Sequence, residues 1–298
     1  MIDVLIVGGI FREILDGDSK PRRRYGGSGL TASIAASRFG ARVALASYVG
    51  EEDAAGVRAE LLAARVNDVH VVTVSGASGT FVFPTCENPE RPWPMYRPAE
   101  AVPSALSQSL PVANIVVLFG IPDFDPVTFG WVTDLGPDVT LIWDRQGWLS
   151  RARNTEGVLG LAPSRKIYLA NEKEAMEDAS ASTLDEVLAF QPPSGFVAAV
   201  VKRGVRGVVV IERSEGGTCT NIVDSFPVQT ESTIGAGDVF AGAFAARLSR
   251  GDSPRNAARW GCAASAVALA AGSNLLDDNA LPEAESLMLS NTGHTPES

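Results

Sequence analysis

The sequence predicts a three-layer α/β/α sandwich, a mostly parallel central sheet covered by helices on both faces, with a small β-strand lid. Three observations carry that prediction. Short apolar runs recur along the chain, helical stretches alternate with them, and two segments rich in charge, Pro and aromatics interrupt the alternation without a helix of their own. A short unbroken apolar run is the pattern of a strand buried on both faces, and such strands belong in parallel sheets under helices.

The elements follow in order. Ile2–Val7, "IDVLIV", is the first apolar run and ends in Gly8-Gly9. Residues 10–25, "IFREILDGDSKPRRRY", form the first interruption. The stretch 26–40, "GGSGLTASIAASRFG", is small and apolar and predicts a closely packed helix. Val43–Val49 is a strand, 52–66 an amphipathic helix and Val69–Val74 a strand. Residues 79–98, "GTFVFPTCENPERPWPMYRP", form the second interruption. Both interruptions are expected to be short strands and loops that project from the main sheet as one lid. Strands continue at Ile115–Phe119, Val139–Trp143, "KIYLA" (166–170), Val197–Val201 and Val208–Ile211, with a short helix at Leu184–Phe190. "VVKRGVRGVVV" (200–210) places a Gly turn between two strands in hairpin style. Two long helices, about 237–250 and 254–271, close the chain, and only the last several residues are expected to be disordered.

Bulk properties narrow the function. The 298 residues are 45% hydrophobic and 20% charged, ordinary for a globular protein, and the length suits one domain spanning 1–298. A net charge of −10 speaks against nucleic acid, which needs basic surface. Cys86, Cys219 and Cys262 are odd in number and far apart, neither a disulfide framework nor a zinc spacing. His70 and His294 are the only histidines, which argues against a His-based metal centre or a Ser-His-Asp hydrolase. "MIDVLIVGG" is not a signal peptide, and the longest apolar run, 262–272, is too short to span a bilayer. A cytoplasmic enzyme with a small-molecule substrate, and no membrane or nucleic-acid partner, is expected.

The chemistry concentrates in "TESTIGAGDVFAGAFAARL" (230–248). A helix N-terminus carries unpaired N–H groups and partial positive charge. Gly235, Ala236 and Gly237 can bring such amides against a phosphate, and Asp238 beside them can take a proton from an attacking hydroxyl. The same spacing also fits plain N-capping by Asp238. "NEKEA" (171–175) puts Asn171 and Glu174 on one face of a helical turn, a pattern that is also a common capped helix start.

Taken together and in this order, the motifs resemble the PfkB-type carbohydrate kinases, the ribokinase-like family. "STIGAGDVFAGAF" is similar to that family's C-terminal signature, and "YGGSGLTASIAASRFGARVALASYVGEEDAAG" to its N-terminal one. "NEKEA" matches its N-x-x-E motif, and the resemblance covers residue 2 to about 274. It implies a ribokinase-like fold and a kinase that moves the γ-phosphoryl of ATP, with Mg²⁺, to a hydroxyl of a small sugar, nucleoside or cyclitol. It implies Asp238 as general base and Gly235, Ala236 and Gly237 as anion hole. Asn171 and Glu174 would hold Mg²⁺ through its waters. Lys202, Arg203 and Gly204 would meet the nucleotide, with Asn274 near its adenine. Gly26, Gly27, Thr31 and Glu13 would line the acceptor pocket, under a lid that excludes water.

Three positions depart from the family pattern. Thr31 stands where Asn is common and Glu13 where Asp is common, and Phe11 replaces a polar residue. These departures weigh against ribose and favour a ring-bearing acceptor stacked on Phe11. Arg12 and Arg22–Arg24 read first as a solvated basic lid face and second as a contact for a phosphorylated sugar. A strand-rich lid can also pair with a second copy, giving a homodimer. Two alternatives stand beside the kinase. One is a non-catalytic sugar or nucleotide binder on the same fold. The other is an NAD-dependent enzyme, because "GSGLTA" (27–32) formally fits G-x-G-x-x-A; that fingerprint should follow a buried strand directly, and here it follows "SKPRRRY".

Overall fold

The protein is described by a computed structural model. It describes residues 2–16, 23–84, 95–104, 106, 110–121, 135–146, 158, 160–161, 163, 165–183, 186, 196–230 and 232–290. Cys86, Arg22, His294 and most of the expected helix at 184–190 lie outside them.

Nine strands form the central sheet. They are β1 (Ile2–Val7), β4 (Val43–Gly50), β5 (Asp68–Val74), β8 (Ala113–Phe119), β9 (Thr140–Asp144), β10 (Arg165–Asn171), β11 (Ala198–Lys202), β12 (Val208–Ser214) and β13 (Gly217–Val223). Their spatial order is β13-β12-β11-β10-β9-β8-β1-β4-β5. Pairing is parallel from β5 through to β11 and antiparallel only at β11–β12 and β12–β13. The expected hairpin at 200–210 is therefore present, and β13 extends it. No sequence signal had marked β13, whose side chains are mostly exposed.

Both faces of the sheet are buried, as the apolar runs require. Val4 and Ile6 join one core with α1 (Ser28–Arg38), α2 (Glu51–Ala63), α4 (Ala236–Ser249) and α5 (Pro254–Ala270). Leu5 and Val7 face the other, with Phe196 and Ala175 of α3 (Glu172–Ala179). Small residues set the spacing of the first layer. A Cβ on Gly242 of α4 would lie 2.3 Å from the Ala32 carbonyl oxygen, so α1 and α4 meet backbone to backbone there. The chain does not close on α5: a further helix, α6 (Ala280–Ser290), buries Ala280 and Ala284 against the same core. No helix among the described residues is long and apolar enough to cross a membrane.

The two interruptions meet in a separate four-stranded sheet, β3-β2-β6-β7, from β2 (Phe11–Asp16), β3 (Arg23–Gly26), β6 (Thr80–Pro84) and β7 (Met95–Arg97). β2 pairs antiparallel with β3 and parallel with β6. This sheet is the lid. Arg12 fixes it to the body: its Nε donates to Asp53 at 2.8 Å, and its NH2 group to Glu52 at 2.7 Å. Arg12 is thus an anchor, not part of a solvated basic face. The "GSGLTA" stretch follows β3 of the lid, not a strand of the main sheet, which removes the context a dinucleotide fingerprint needs.

Candidate active site

In open parallel sheets, ligands gather at the carboxyl ends of the strands, beside the point where strand order reverses. β1 is that point here, flanked by β4 and β8. Asp144, Asn171 and Lys202 are the last residues of the adjacent strands β9, β10 and β11. Asn171 stands in register with Lys202, and Leu169 of β10 with Asp144. The first turn of α4 arrives over the same edge.

Asp238 is the third residue of α4, and the helix is capped by Gly235 in left-handed conformation (φ 79°) without any side-chain cap bond. Plain N-capping by Asp238 is therefore not what the residue does. Its Oδ1 accepts from Gln146 Nε2 at 3.0 Å. Burial, the charge of Asp144 and that of Glu13 push its carboxyl up to about 7, against the opposing pull of Lys202 and the Gln146 bond. Of the first-turn amides, Asp238 N–H turns back to Gly235 O at 3.1 Å and Ala236 N–H to Thr233 O at 3.3 Å. The Gly237 N–H has no acceptor among the described residues. The expected three-residue cradle thus narrows to the glycine amides.

Asp238 opens into a cavity of about 340 Å³ whose wall also carries Phe11, Glu13, Asp144, Gln146 and Glu174. A second, mainly apolar cavity of about 430 Å³ lies beside it, walled by Val205, Val208, Phe226, Phe240 and Leu269. The first turn of α4 divides the two. Gly235 and Asp238 face the first, Ala236 and Gly237 face the second, and Lys202 borders both.

Lys202 Nζ donates to Asp144 Oδ2 at 2.7 Å, and both groups are largely buried. Burial and the charge of Glu174 hold the Asp144 carboxyl above its usual range despite Lys202, while burial lowers Lys202 less than Asp144 and Glu174 raise it. Asn171 and Glu174 form a reciprocal capping box: Asn171 Oδ1 accepts from Glu174 N–H at 2.9 Å, and Glu174 Oε2 from Asn171 N–H at 2.8 Å. The capped-start reading of the motif holds, and both residues also line the 340 Å³ cavity.

At the other end of that cavity, Glu13 is 4% exposed. Its Oε2 accepts from Arg24 Nε at 2.7 Å and its Oε1 from the Gly27 N–H at 3.2 Å. Gly26 does not line the cavity; a Cβ there would sit 2.0 Å from Glu13 Oε1, so it makes room for that carboxylate. Phe11 lines the cavity and meets Phe81 edge to face, with centroids 4.8 Å apart. Thr31 does not line it. It is fully buried inside α1, and Ser28, one turn earlier, holds the place on the wall. Arg24, bound to Glu13, is not a solvated lid charge.

The expected nucleotide residues divide. Lys202 and Gly204 border the apolar cavity, but Arg203 does not: its guanidinium donates to the Arg206 carbonyl within its own 3-10 turn, at 2.7 Å. Asn274 lies outside that cavity too. It is 4% exposed, packed behind Gly235 such that a Cβ at 235 would stand 2.6 Å from its own Cβ, and it borders a separate space with Arg24 and Ser273. It supports the loop. Of the expected site residues, Phe11, Glu13, Gly27, Asn171, Glu174, Lys202, Gly235 and Asp238 surround the first cavity, whereas Ala236, Gly237 and Gly204 face the second.

Sequence reasoning missed Asp144, Gln146, Ser28, Phe81 and Phe83. Gln146 carried one usable signal, a polar pair after an apolar strand, "LIWDRQ", just before a Gly. Its backbone is left-handed (φ 41°), rare for a non-glycine residue, and its N–H bonds the Asp144 carboxylate. One residue thus ties Asp144 to Asp238.

Comparison with known proteins bears on the fold and the family. The chain is 26% identical over 259 residues to ribokinase of Bacillus subtilis (strain 168), covering 79% of this chain and 78% of that one. It superposes on ribokinase of Cryptococcus neoformans var. grubii serotype A in complex with ADP, with TM-score 0.75, 19% identity, and 95% and 99% of the two chains covered. Arabidopsis thaliana ribokinase complexed with ribose and ATP gives TM-score 0.73 at 20% identity, over 95% and 99%. Both superpositions establish a ribokinase-like fold. Residues 4–275 match the sequence profile described as pfkB family carbohydrate kinase. With nearly the whole chain inside that match, the protein belongs to the pfkB family of carbohydrate kinases.

Proposed function

We propose that the protein transfers the γ-phosphoryl group of ATP to a hydroxyl of a small sugar, nucleoside or cyclitol. One observation carries this reading: a carboxylate and unpaired glycine amides stand on a single helical turn between two cavities, with one lysine bordering both. The apolar cavity suits a nucleobase and the polar one a polyol. The relatives' ADP, ATP and ribose support that assignment of the two sides.

In the transfer, Asp238 accepts the proton of the attacking hydroxyl as its oxygen bonds the γ-phosphorus. The bond to the bridging β,γ-oxygen breaks and ADP leaves. The Gly237 amide, the positive end of α4 and Lys202 stabilise charge on the moving phosphoryl group. Glu13 orients the acceptor from the far end of the pocket. The donor set fits Mg²⁺: Asn171, Glu174 and Asp144 offer hard oxygen donors on the cavity wall. Mg²⁺ retains waters and favours phosphate partners, so Asn171 and Glu174 would hold it through its waters, where it would neutralise phosphate charge.

The metal placement and the base can each be tested. Glu174→Gln keeps an acceptor for the Asn171 N–H but removes a charge, so half-maximal activity should need severalfold more Mg²⁺; an unchanged Mg²⁺ titration contradicts the placement. For the base, activity should fall as pH drops through about 7, where Asp238 takes up its proton. Gln146→Leu removes a donor that favours the ionised form, so the acid limb of kcat/KM should move to higher pH. A limb that stays put or moves down removes Gln146 from this role. Expression as a cytoplasmic enzyme, and pairing of two copies through the lid, belong to the same proposal; sedimentation of the purified chain tests the second.

A further inference from the structure

The polar cavity is rich in negative charge, and its positive charge is already committed. Glu13, Asp144, Glu174 and Asp238 all stand on its wall. Among the described residues, the cations within reach are Lys202, 2.7 Å from Asp144, and Arg24, 2.7 Å from Glu13. Arg12, the other arginine on β2 of the lid, is held by Asp53 and Glu52. The wall is also aromatic: Phe11, Phe81 and Phe83 line it, Phe11 and Phe81 are almost completely buried, and Phe83 lies 6.1 Å from Phe81, centroid to centroid.

We propose that the acceptor is an uncharged, hydroxylated ring, seated with its C–H or base face against Phe11, Phe81 and Phe83 and its hydroxyls toward Glu13 and Asp238, and that this pocket rejects phosphorylated and carboxylated acceptors. The inference rests on the phosphotransfer reading and deepens it. The physical ground is electrostatic. The wall carries four carboxylates, Glu13, Asp144, Glu174 and Asp238, against the two paired cations Lys202 and Arg24, so an anion on the acceptor would be confined in a largely desolvated pocket with an excess of like charge, which costs affinity steeply. Carboxylates, by contrast, accept hydrogen bonds from hydroxyls well, and Glu13 retains lone pairs beyond its bonds to Arg24 and Gly27. A cavity of about 340 Å³ matches a monosaccharide- or nucleoside-sized ring. Of the lid arginines that could receive a phosphate, Arg12 and Arg24 are already paired with carboxylates.

Matched pairs test it, with ATP as donor: ribose and ribose 5-phosphate, fructose and fructose 6-phosphate, myo-inositol and its monophosphate, adenosine and AMP, galactose and galacturonate. The expected result is transfer to at least one neutral member, with kcat/KM at least about 100-fold above its anionic partner. In Glu13→Gln, which removes the carboxylate and frees Arg24, that ratio should shrink at least about tenfold. A preferred anionic member overturns the inference and leaves the phosphotransfer reading standing. An unchanged ratio in Glu13→Gln, in protein whose melting temperature matches the parent's, overturns the electrostatic ground. No transfer to any member of either set, from protein whose melting temperature rises with ATP, overturns the phosphotransfer reading and this inference with it.

Discussion

Replacing Asp238 with Asn should lower kcat by about 10²–10⁴-fold while nucleotide affinity stays close to that of the parent, because only the proton acceptor is lost. Size and the Gln146 contact are retained, since an Asn oxygen can still accept from Nε2. The variant should also be the more heat-stable protein near neutral pH. The Asp238 carboxyl sits at about 7 in the fold, against about 3.9 in an unfolded chain. Between those values the folded protein binds the extra proton, so stability declines as pH rises through about 7, where the buried group must ionise. Asn never ionises. Its melting temperature should therefore exceed the parent's by a few degrees above pH 7, and the difference should vanish below about pH 4. Parent-like turnover in Asp238→Asn refutes the base assignment. A stability gap that persists unchanged at pH 4 refutes the ionisation account.

How far the sequence reveals this site depends on whether a residue's meaning is local. Gly235, Gly237 and Asp238 are legible because one helical turn contains the whole motif, and the alternation of apolar runs and helices is legible because each run declares its own burial. Asp144 and Gln146 are not. They end and follow an ordinary strand, and they matter only because β9, β10 and β11 lie side by side, so that Lys202 at the end of β11 reaches across β10 to Asp144 while Gln146 reaches α4. Strand order is a long-range fact with no local trace. Thr31 fails for a related reason: it lies one turn further along the same face of α1 and is fully buried, while Ser28 reaches the cavity wall, and a one-turn difference is beyond what spacing alone fixes. The lid arginines read as solvated because charge in a loop-like segment usually is; Asp53 on α2 becomes a neighbour of Arg12 only once the lid is folded against the body, and Glu13 a neighbour of Arg24 only once β2 and β3 pair. Strand β13 and helix α6 were missed because the exposed side chains of one and the thin apolar stripe of the other give weak periodicity.

Lys202→Met should be damaging in two separable ways. First, it strands Asp144, 2% exposed, without its cation. Leaving one partner of a buried pair uncompensated costs about 3–5 kcal/mol, a melting temperature lower by roughly 10 °C in a chain of this size. Asp144 can reduce that cost by binding a proton, and burial already favours its neutral form, so the deficit should be largest at high pH and shrink as pH falls. Second, it removes the one positive side chain among the described residues that borders both cavities, and loss of a preorganised electrostatic stabiliser lowers kcat by about 10²–10³-fold. Adding Asp144→Asn separates the two. It neutralises the stranded group and keeps an acceptor for the Gln146 N–H, so most of the melting temperature should return while turnover stays low. If the double variant regains activity along with stability, Lys202 serves only to balance Asp144. If the single variant melts where the parent does, the two groups do not form the buried pair seen here. Recovery of the fold without recovery of the rate is the outcome that assigns the lysine to the path of the phosphoryl group, because no structural role of the Asp144–Lys202 pair would leave that remainder.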